Sequence, residues 1–253
     1  MTEPSTVSPL EDLGAHFLEV AEQQGVGPRL RAAKPWAVRT WAGYLGALRA
    51  LPVCTVTLSE SPSGRHIREL LDQRAGPFRA RWAMDVIELP STFEEYLASR
   101  RRTNGVRESL RRGRKLGIST RRVDDPDEQR ANLVDLLARR DWEADPVAQL
   151  ERQHDLRPGE GIHVACRDAD GILLALAIAV LDGTTAQLAF CTSTPDRELS
   201  SFSRYQVCAE IVAQAIKGQA TVLLGDGHLL LKPGLRQFAK AVGFLPERVV
   251  IAR

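Results

Sequence analysis

The C-terminal part of the chain has the most regular alternation of apolar and polar positions. Residues 162–167 alternate as a half-buried strand does, and residues 172–181 are apolar on both faces, which is typical of a central strand. Residues 168–171 and 182–183 have the composition of tight turns, and residues 184–191 form a third strand pattern. The pattern therefore predicts an antiparallel meander of three strands.

Helices and strands alternate after this meander. Apolar positions recur at helical spacing from about Ser203, and Gly218 ends that pattern. Pro233 lies in the first turn of a second predicted helix, which Gly243 stops. The remaining predicted pieces are a loop at 192–201, a strand at 220–224, a turn at 225–227 and a last strand at 248–252. This order predicts an α+β (mixed α/β) fold with helices flanking a sheet.

The first part of the chain has less regular patterns. Its predicted elements are helices at 8–25, from 35 and at 64–74, a buried strand at 52–58 and a strand at 78–89. We expect residues 1–90 to form a reduced N-terminal α/β subdomain. A degenerate copy of the C-terminal architecture is the interpretation we favour for it. Residues 91–253 are then the main domain.

Three helices are predicted in the middle of the chain. The first begins after Thr92, and residues 103–105 interrupt the helical pattern. A basic helix follows and ends at Gly117. Asp125-Pro126 begins the third, because a capping side chain followed by proline is typical of a helix start.

Composition limits the class of protein. Of the 253 residues, 43% are hydrophobic, which is enough for one large core or two modest ones. The longest apolar run, residues 172–181, has about half the length that a bilayer span needs. The N-terminus lacks the basic and apolar regions of a secretory signal. We therefore expect no membrane span and a cytoplasmic location.

The cysteines and histidines do not form a metal-binding pattern. Cys54, Cys166, Cys191 and Cys208 stand far apart without CxxC spacing, and the five histidines are scattered. Such cysteines are typical of reduced core residues and not of a disulfide framework or a zinc site. We expect no bound metal.

The basic residues are unevenly distributed. The net charge is only +2, but residues 100–122 contain ten Lys or Arg residues and a single acid, Glu108. A local cluster of this kind attracts polyanions even in a nearly neutral protein. The candidate polyanion-binding residues are Arg107, Arg111, Arg112, Arg114 and Lys115. A solvated helix face in an arginine-rich chain explains the same cluster, and both interpretations stay open.

The order of elements resembles that of the GNAT superfamily of acyltransferases. The segment STFEEYLASRRRTNGVRESLRRGRKLGI, residues 91–118, resembles the first segment of Fem-type and related single-domain GNAT-like transferases. The segments DGILLALAIAVLDGTTAQLAF, SRYQVCAEIVAQAIKGQATVLLGDG and LKPGLRQFAKAVGF resemble their hairpin, central helix and final helix. The resemblance covers residues 91–253 and implies a GNAT-like twisted, mostly antiparallel sheet flanked by helices.

This resemblance also implies a place for the site. In the GNAT fold two neighbouring strands splay apart and a helix begins in the gap, where backbone N–H groups hold an acyl carbonyl or a phosphate. Here the gap is expected where residues 189–192 meet residues 203–205. The implied donor-binding residues are Cys191, Thr192, Ser203, Arg204 and Lys232. The implied catalytic residues are Asp226, His228 and Tyr205.

Three of these residues lie between the penultimate strand and the final helix. Asp226 or His228 would deprotonate an amine. Lys232 would contact a phosphate. A lysine at a helix N-terminus opposes the helix dipole and has no local stabilisation there, which favours a role in binding. A turn aspartate, an exposed histidine and a solvated lysine are the structural alternatives.

Three others lie at the end of a strand or the start of the central helix. Ser203 and Tyr205 stand where this fold binds its donor, but a helix N-cap explains Ser203 and simple packing explains Tyr205. Cys191 is a covalent nucleophile only if a base lies beside it, and an inward strand cysteine is otherwise a core residue.

Two departures from the family pattern bear on the donor. The Gln/Arg-x-x-Gly-x-Gly/Ala run that binds the CoA pyrophosphate in acetyltransferases is absent, and residues 197–204 read RELSSFSR instead. This segment lacks the glycines that permit close backbone approach to a phosphate. The tyrosine that many acetyltransferases carry in the last helix as a general acid is Phe238 here. Fem-type enzymes, which take aminoacyl groups from tRNA, also lack that loop.

Three hypotheses about function follow. The first is an N-acyltransferase that uses acyl-CoA as co-substrate, with no tightly bound cofactor and a small-molecule or peptide amine as acceptor. The second is a Fem-type enzyme with aminoacyl-tRNA as donor, which the basic helix and the missing glycine loop favour. The third is a catalytically silent GNAT-like module that binds nucleic acid through its arginines. Sequence does not define the oligomeric state.

Overall fold

The computed structural model describes residues 49–74, 84–100, 105–139, 161–195, 197–227, 231 and 233–252. The elements in this part are, in chain order, β1 (Val53–Val56), α1 (Pro62–Arg74), β2 (Met84–Glu88), α2 (Phe93–Ser99), α3 (Gly105–Lys115), β3 (Ser119–Arg122), α4 (Pro126–Ala138), β4 (Ile162–Arg167), β5 (Leu173–Asp182), β6 (Thr185–Ser193), α5 (Arg197–Lys217), β7 (Val222–Gly227), α6 (Pro233–Val242) and β8 (Leu245–Ile251). The predicted elements before residue 49, at 78–83 and at 140–160 lie outside the described residues.

All the strands in the described part of the chain belong to one sheet. Its order is β1-β8-β2-β7-β6-β5-β4-β3. The pairs β1–β8 and β6–β7 are parallel, and every other neighbouring pair is antiparallel. The prediction of a mostly antiparallel sheet with a β4–β5–β6 meander is confirmed. β1 and β2, which precede residue 91, are strands of this same sheet.

Helices cover both faces of the sheet. One face packs against α2, α3, α5 and α6, with Tyr96 of α2 and Val207 of α5 fully buried in that layer. The other face packs against α4 over β4 and β5, and against α1 over β1 and β2. β5 lies between the two layers, and its residues from Leu173 to Ala179 are all buried. Burial on both faces explains why this strand has an uninterrupted apolar sequence.

Capping side chains fix the starts of two helices as predicted. Thr92 accepts a hydrogen bond from the Glu95 backbone N–H, and the Glu95 carboxylate accepts one from the Thr92 N–H, which completes a capping box at the start of α2. The Asp125 carboxylate accepts from the Asp127 N–H at the start of α4. Gly243 follows α6 with φ of 114°, a conformation that side chains disfavour.

The segment before β2 is tied to the meander by buried hydrogen bonds. Asp182, at the end of β5, accepts from the backbone N–H of Ser59 and from the hydroxyls of Ser59 and Ser61. Burial of the carboxyl group opposes its ionisation, but these hydrogen bonds outweigh burial and lower the pKa of Asp182. The β1–α1 connection is therefore held to the central sheet by one carboxylate.

Helix α5 begins earlier than predicted. Its first residue is Arg197, whereas the apolar pattern indicated a start near Ser203. The segment contains no glycine or proline to stop a helix, and Leu199 and Phe202 reach the same core as the rest of α5. The interpretation of Ser203 as an N-cap is therefore wrong, because Ser203 is a buried residue inside the helix.

The structure differs from the sequence predictions at three strands. The turn predicted at 225–227 is wrong, because β7 continues to Gly227, which pairs with Met84 of β2. β3 was not predicted, because its sequence STRR has no apolar alternation, and it forms only through pairing with β4. β1 was predicted to be buried, but it lies at the sheet edge and Val53 is 50% exposed. No helix in the described ranges is both long and apolar enough to cross a bilayer.

Candidate functional site

Strands β6 and β7 pair along only part of their length and then separate. Their parallel ladder consists of the pairs Thr185–Val222, Ala186–Leu223 and Gln187–Leu224. Beyond this point β6 continues to Ser193 beside β5, while β7 continues to Gly227 beside β2. The two strands therefore diverge after Gln187. This is the splay that the sequence analysis expected beside residues 189–192.

A buried glutamine lies at the point of divergence. Gln187 is 0% exposed, and its Nε2 donates to the carbonyl oxygens of Gly225 at 2.9 Å and Leu188 at 3.3 Å. Leu188 and Gly225 are the first residues of β6 and β7 after the last ladder pair. One side-chain amide therefore bonds to both strands where they separate. Sequence analysis did not select Gln187, although a polar residue in the apolar run TAQLAF was a signal for it.

Buried polar atoms without partners occur at several places in the described part of the chain, and three of them belong to β6, the residue after it and α5. In the described part of the chain, buried Gln187 Oε1, Thr194 Oγ1 and Arg204 Nε have no hydrogen-bond partner. Buried polar atoms in folded proteins are normally paired, and a ligand is one of the usual partners when protein groups are absent. Thr194 follows β6 directly, and Arg204 lies in α5. These three atoms are therefore candidates for ligand contacts beside β6.

Arg204 lies between β6 and α6. Its Nη2 donates to Ser193 Oγ at 3.3 Å, and its guanidinium carbon lies 5.6 Å from the centre of the Phe238 ring. Such a cation over an aromatic face is held in place without losing its charge. Arg204 therefore provides a fixed, half-buried positive charge at the end of β6.

Tyr205 packs beside the same phenylalanine. The centres of the Tyr205 and Phe238 rings are 4.9 Å apart, and the Tyr205 hydroxyl lies near the start of α3 at Gly105. Burial, and then the nearby Cys208, raise the pKa of Tyr205 above its usual value, whereas Arg204 lowers it. Its hydroxyl keeps its proton at neutral pH and remains a hydrogen-bond donor.

The other implied residues have different positions. Cys191 directs its sulfur at Cys208 of α5, with Sγ to Sγ 3.7 Å, so its thiol packs inside the layer. Thr192 is a mostly buried residue of β6. Asp226 is exposed near the end of β7. The predictions for His228 and Lys232 lie outside the described residues.

Basic helix α3 lies along the central helix. Gly113 faces Gln206 of α5 so closely that an added Cβ would lie 2.1 Å from its amide nitrogen. This contact turns the charged face of α3 outward, and its exposed cations are Arg107, Arg111, Arg112, Arg114 and Lys115. Glu108 accepts from Arg111 and from Arg112, and these hydrogen bonds lower the pKa of Glu108 to about 2.

Three of these cations have no acid beside them. In the described ranges, no ion pair or side-chain hydrogen bond involves Arg107, Arg114 or Lys115. They stand seven and eight residues apart, which places them on one side of a helix. These three residues form a stripe of exposed positive charge on α3, within the basic face that the sequence predicts.

A second residue that the sequence analysis missed is Asp85 of β2. It is 1% exposed, and a Cβ added to Gly225 would lie 3.1 Å from the Asp85 Cβ, so its side chain begins beside the divergence point. An aspartate within the apolar segment WAMDVIEL was the available signal.

The described residues contain no group of three or more His, Cys, Asp or Glu side chains arranged to hold a metal ion.

Comparison with known proteins supports the fold through a solved structure and not through sequence similarity. No protein-family model matches the chain, and no curated protein matches it in sequence. The crystal structure of FemX aligns with 66% of this chain and 60% of its own, at 14% identity and a TM-score of 0.50. The chain thus matches less than two thirds of the length of FemX.

Two further solved structures have lower TM-scores. The tandem GNAT protein from the clavulanic acid biosynthesis pathway aligns with 87% of this chain and 69% of its own, at 12% identity and a TM-score of 0.40. A GCN5-related N-acetyltransferase from Kribbella flavida aligns with 52% of this chain and 47% of its own, at 19% identity and a TM-score of 0.35. Together with the strand order and the divergence of β6 and β7, the FemX alignment shows that this chain has a GNAT-like fold.

Proposed function

We propose that this chain is an N-acyltransferase that moves an acyl or aminoacyl group from a phosphate-bearing carrier to an amine. The observation that carries the proposal is the divergence of β6 and β7, with the unpartnered Nε of Arg204 at the end of β6. A gap between two strands gives an acyl group access to main-chain N–H groups, which stabilise the oxyanion of a tetrahedral intermediate. A fixed guanidinium beside it binds a carrier phosphate.

The reaction we propose is direct transfer in a ternary complex. The carrier and the amine lie side by side in the gap, which replaces a bimolecular collision by an oriented attack on the carbonyl. Asp226, exposed on the β7 side, accepts the proton of the attacking amine. Tyr205, whose raised pKa keeps it protonated, donates to the departing group. Its ring packs against Phe238, so its hydroxyl is near the place where related enzymes carry a tyrosine in the last helix.

Acyl-CoA is our first candidate for the donor. The rings of Tyr205 and Phe238 offer apolar surface beside the gap for the extended arm of a thioester, and Arg204 is placed beside them for a phosphate. The absence of the glycine run means that side chains, and not closely approaching backbone, would bind the pyrophosphate.

Aminoacyl-tRNA is the second candidate, and a separate observation favours it. The stripe formed by Arg107, Arg114 and Lys115 runs along α3, whose first residue, Gly105, lies beside the Tyr205 hydroxyl. A tRNA whose acceptor end entered the gap would have backbone phosphates near this stripe. The same stripe supports a third candidate, a nucleic-acid-binding module without transfer activity.

One titration separates the three candidates. The full chain is titrated by calorimetry with acetyl-CoA, with aminoacyl-tRNA and with uncharged tRNA, and transfer to an amine is then measured with the acyl group of each charged carrier labelled. Saturable binding of acetyl-CoA supports the first candidate, and preferential binding of charged tRNA supports the second. Equal binding of charged and uncharged tRNA without transfer supports the third. If no ligand binds, the proposal is wrong.

A further inference from the structure

Two cysteines from different elements touch beside the proposed donor site. Cys191 in β6 and Cys208 in α5 have their sulfur atoms 3.7 Å apart. Cys208 is buried and Cys191 is half-buried. Cys191 is therefore the more accessible of the two residues.

This contact is one of two neighbouring contacts between the same elements. Cys191 and Ser193 are two residues apart on β6 and so point to one face of the sheet. Arg204 and Cys208 are four residues apart on α5 and so lie on one side of that helix, one turn from each other. The Arg204–Ser193 contact at 3.3 Å and the Cys208–Cys191 contact at 3.7 Å thus form successive links from α5 to β6.

We propose that Cys191 and Cys208 are an oxidisable dithiol that closes to a disulfide when the protein meets hydrogen peroxide or a similar hydroperoxide. The cross-link joins the β6 side of the gap to the central helix. The remaining cysteines, Cys54 and Cys166, lie in β1 and β4 and have no cysteine neighbour among the described residues.

The two thiols have different chemical roles. The sulfur of Cys191 attacks the peroxide oxygen, which gives a sulfenic acid at Cys191 and releases one water. The sulfur of Cys208 then attacks the Cys191 sulfur, the S–S bond forms, and the hydroxyl leaves as a second water. Two thiols lose two electrons and two protons, and one peroxide takes them up. The hydrogen bond with Cys191, and then burial, raise the pKa of Cys208, which favours Cys208 as the later, resolving thiol.

The geometry requires only a small movement. The sulfur atoms must approach from 3.7 Å to about 2.05 Å, and rotation of both side chains supplies part of this change. The rest of the approach requires β6 to move toward α5, next to the Arg204–Ser193 contact. Oxidation therefore shifts Arg204, which we place at the carrier phosphate, together with its hydrogen-bond partner Ser193. This consequence rests on the proposed function, whereas formation of the disulfide does not.

Peptide mapping of the full chain tests the proposal. Reduced protein is treated with hydrogen peroxide without denaturant, free thiols are alkylated, and the product is digested with trypsin. Cleavage after Arg197 and Arg204 puts the two cysteines on separate peptides, which only a disulfide joins. We expect the Cys191–Cys208 pair of peptides, its loss after reduction, and a decrease of free thiols from four to two.

Variants define the control. Cys191→Ser and Cys208→Ser each abolish the cross-link, whereas the double variant Cys54→Ser/Cys166→Ser keeps it. If the wild-type map shows only sulfinic acid at Cys191, or links between other cysteines, the proposal is wrong. The wild-type map decides even if a variant does not fold. Acetyl-CoA and tRNA titrations of the oxidised protein then test the effect on the site separately, because a disulfide without altered binding contradicts only that consequence.

Discussion

The Gln187 side chain joins β6 to β7 at the place where the two strands separate, with its Nε2 2.9 Å from the carbonyl oxygen of Gly225. The last ladder pair between the strands is Gln187–Leu224, so the side-chain amide continues the connection one residue further than the backbone does. A second hydrogen bond, at 3.3 Å, joins the same Nε2 to the carbonyl oxygen of Leu188. We therefore expect Gln187 to be a positioning residue for the gap between β6 and β7.

Replacing this glutamine should weaken both folding and ligand binding. In Gln187→Leu the hydrogen bonds from Nε2 to the carbonyl oxygens of Gly225 and Leu188 are lost, which costs about 1–3 kcal/mol of unfolding free energy. Urea denaturation measures this loss. Gln214→Leu is the control, because Gln214 is half-buried and its side chain donates to the Glu210 side chain within the same helix, and its effect should be about 0.5 kcal/mol or less. Equal effects of the two substitutions would contradict the role given to Gln187.

Tyr205→Phe should slow transfer without weakening donor binding. The hydroxyl is the only group removed, so the packing against Phe238 persists and the rate falls by about 10² if the hydroxyl acts as general acid. Because the pKa of Tyr205 is raised, the wild-type rate should show no loss attributable to this group until the pH exceeds about 10. The measurement is a single-turnover rate against pH beside a calorimetric affinity. A variant that transfers at the wild-type rate removes Tyr205 from the mechanism.

The α3 stripe should contribute to tRNA binding in a salt-dependent way. The triple variant changes Arg107, Arg114 and Lys115 to Gln. If each contacts one phosphate, the slope of log affinity against log salt decreases by about 2–3. The control triple variant makes the same charge change at Arg65 in α1, Arg130 in α4 and Arg139 directly after α4, helices that pack on the opposite face of the sheet. Identical slopes for the two triple variants would show that the stripe does not bind the polyanion.

Asp182 should make the stability of the fold acid-sensitive. Hydrogen bonds from Ser59 and Ser61 lower the pKa of Asp182 in spite of its burial, so its ionised form contributes stability above the unfolded pKa of about 3.9. That stability is lost as the pH falls below this value through the folded pKa. At neutral pH, Asp182→Asn should lose about 1–3 kcal/mol, and its unfolding free energy should fall less than that of wild type below pH 4.

Asp170→Asn is the matched control for this substitution, because Asp170 is exposed in the turn between β4 and β5. Its denaturation curves at pH 7 and pH 3 should superimpose on those of wild type within about 0.5 kcal/mol. A parallel acid dependence in wild type and Asp182→Asn would mean that other carboxylates determine the acid response.

Local chemistry was sufficient to predict much of this fold. Turn residues and apolar alternation located β4, β5 and β6, residues typical of helix starts located the beginning of α2 after Thr92, and Asp125-Pro126 located the start of α4. These signals are readable because each depends on residues close together in sequence. The identity of the splayed strands followed from the family resemblance and not from any such local signal.

The parts that were missed depend on distant partners. β3 is a strand only because β4 pairs with it, and Asp226 is in a strand only because β2 extends beside β7. Gln187 and Asp85 lie beside the divergence point because of the parallel β6–β7 pairing and the position of Gly225. Neither of these has a signature in the neighbouring residues. Polar residues inside apolar strands were the one signal available, and they mark both positions.

Arg204 provides the most direct test of the proposed site, because both a hydrogen bond and a ring contact hold this cation beside the gap. The measurement is the calorimetric affinity of acetyl-CoA and of aminoacyl-tRNA for wild type, Arg204→Gln and the control Arg139→Gln, whose arginine pairs with Asp135 on α4. We expect one of the two carriers to bind wild type and the control equally, and to bind Arg204→Gln about tenfold or more weakly, a loss of at least 1.4 kcal/mol. Absence of binding by both carriers, or equal affinity for all three proteins, would contradict the assignment of a carrier site to the gap between β6 and β7.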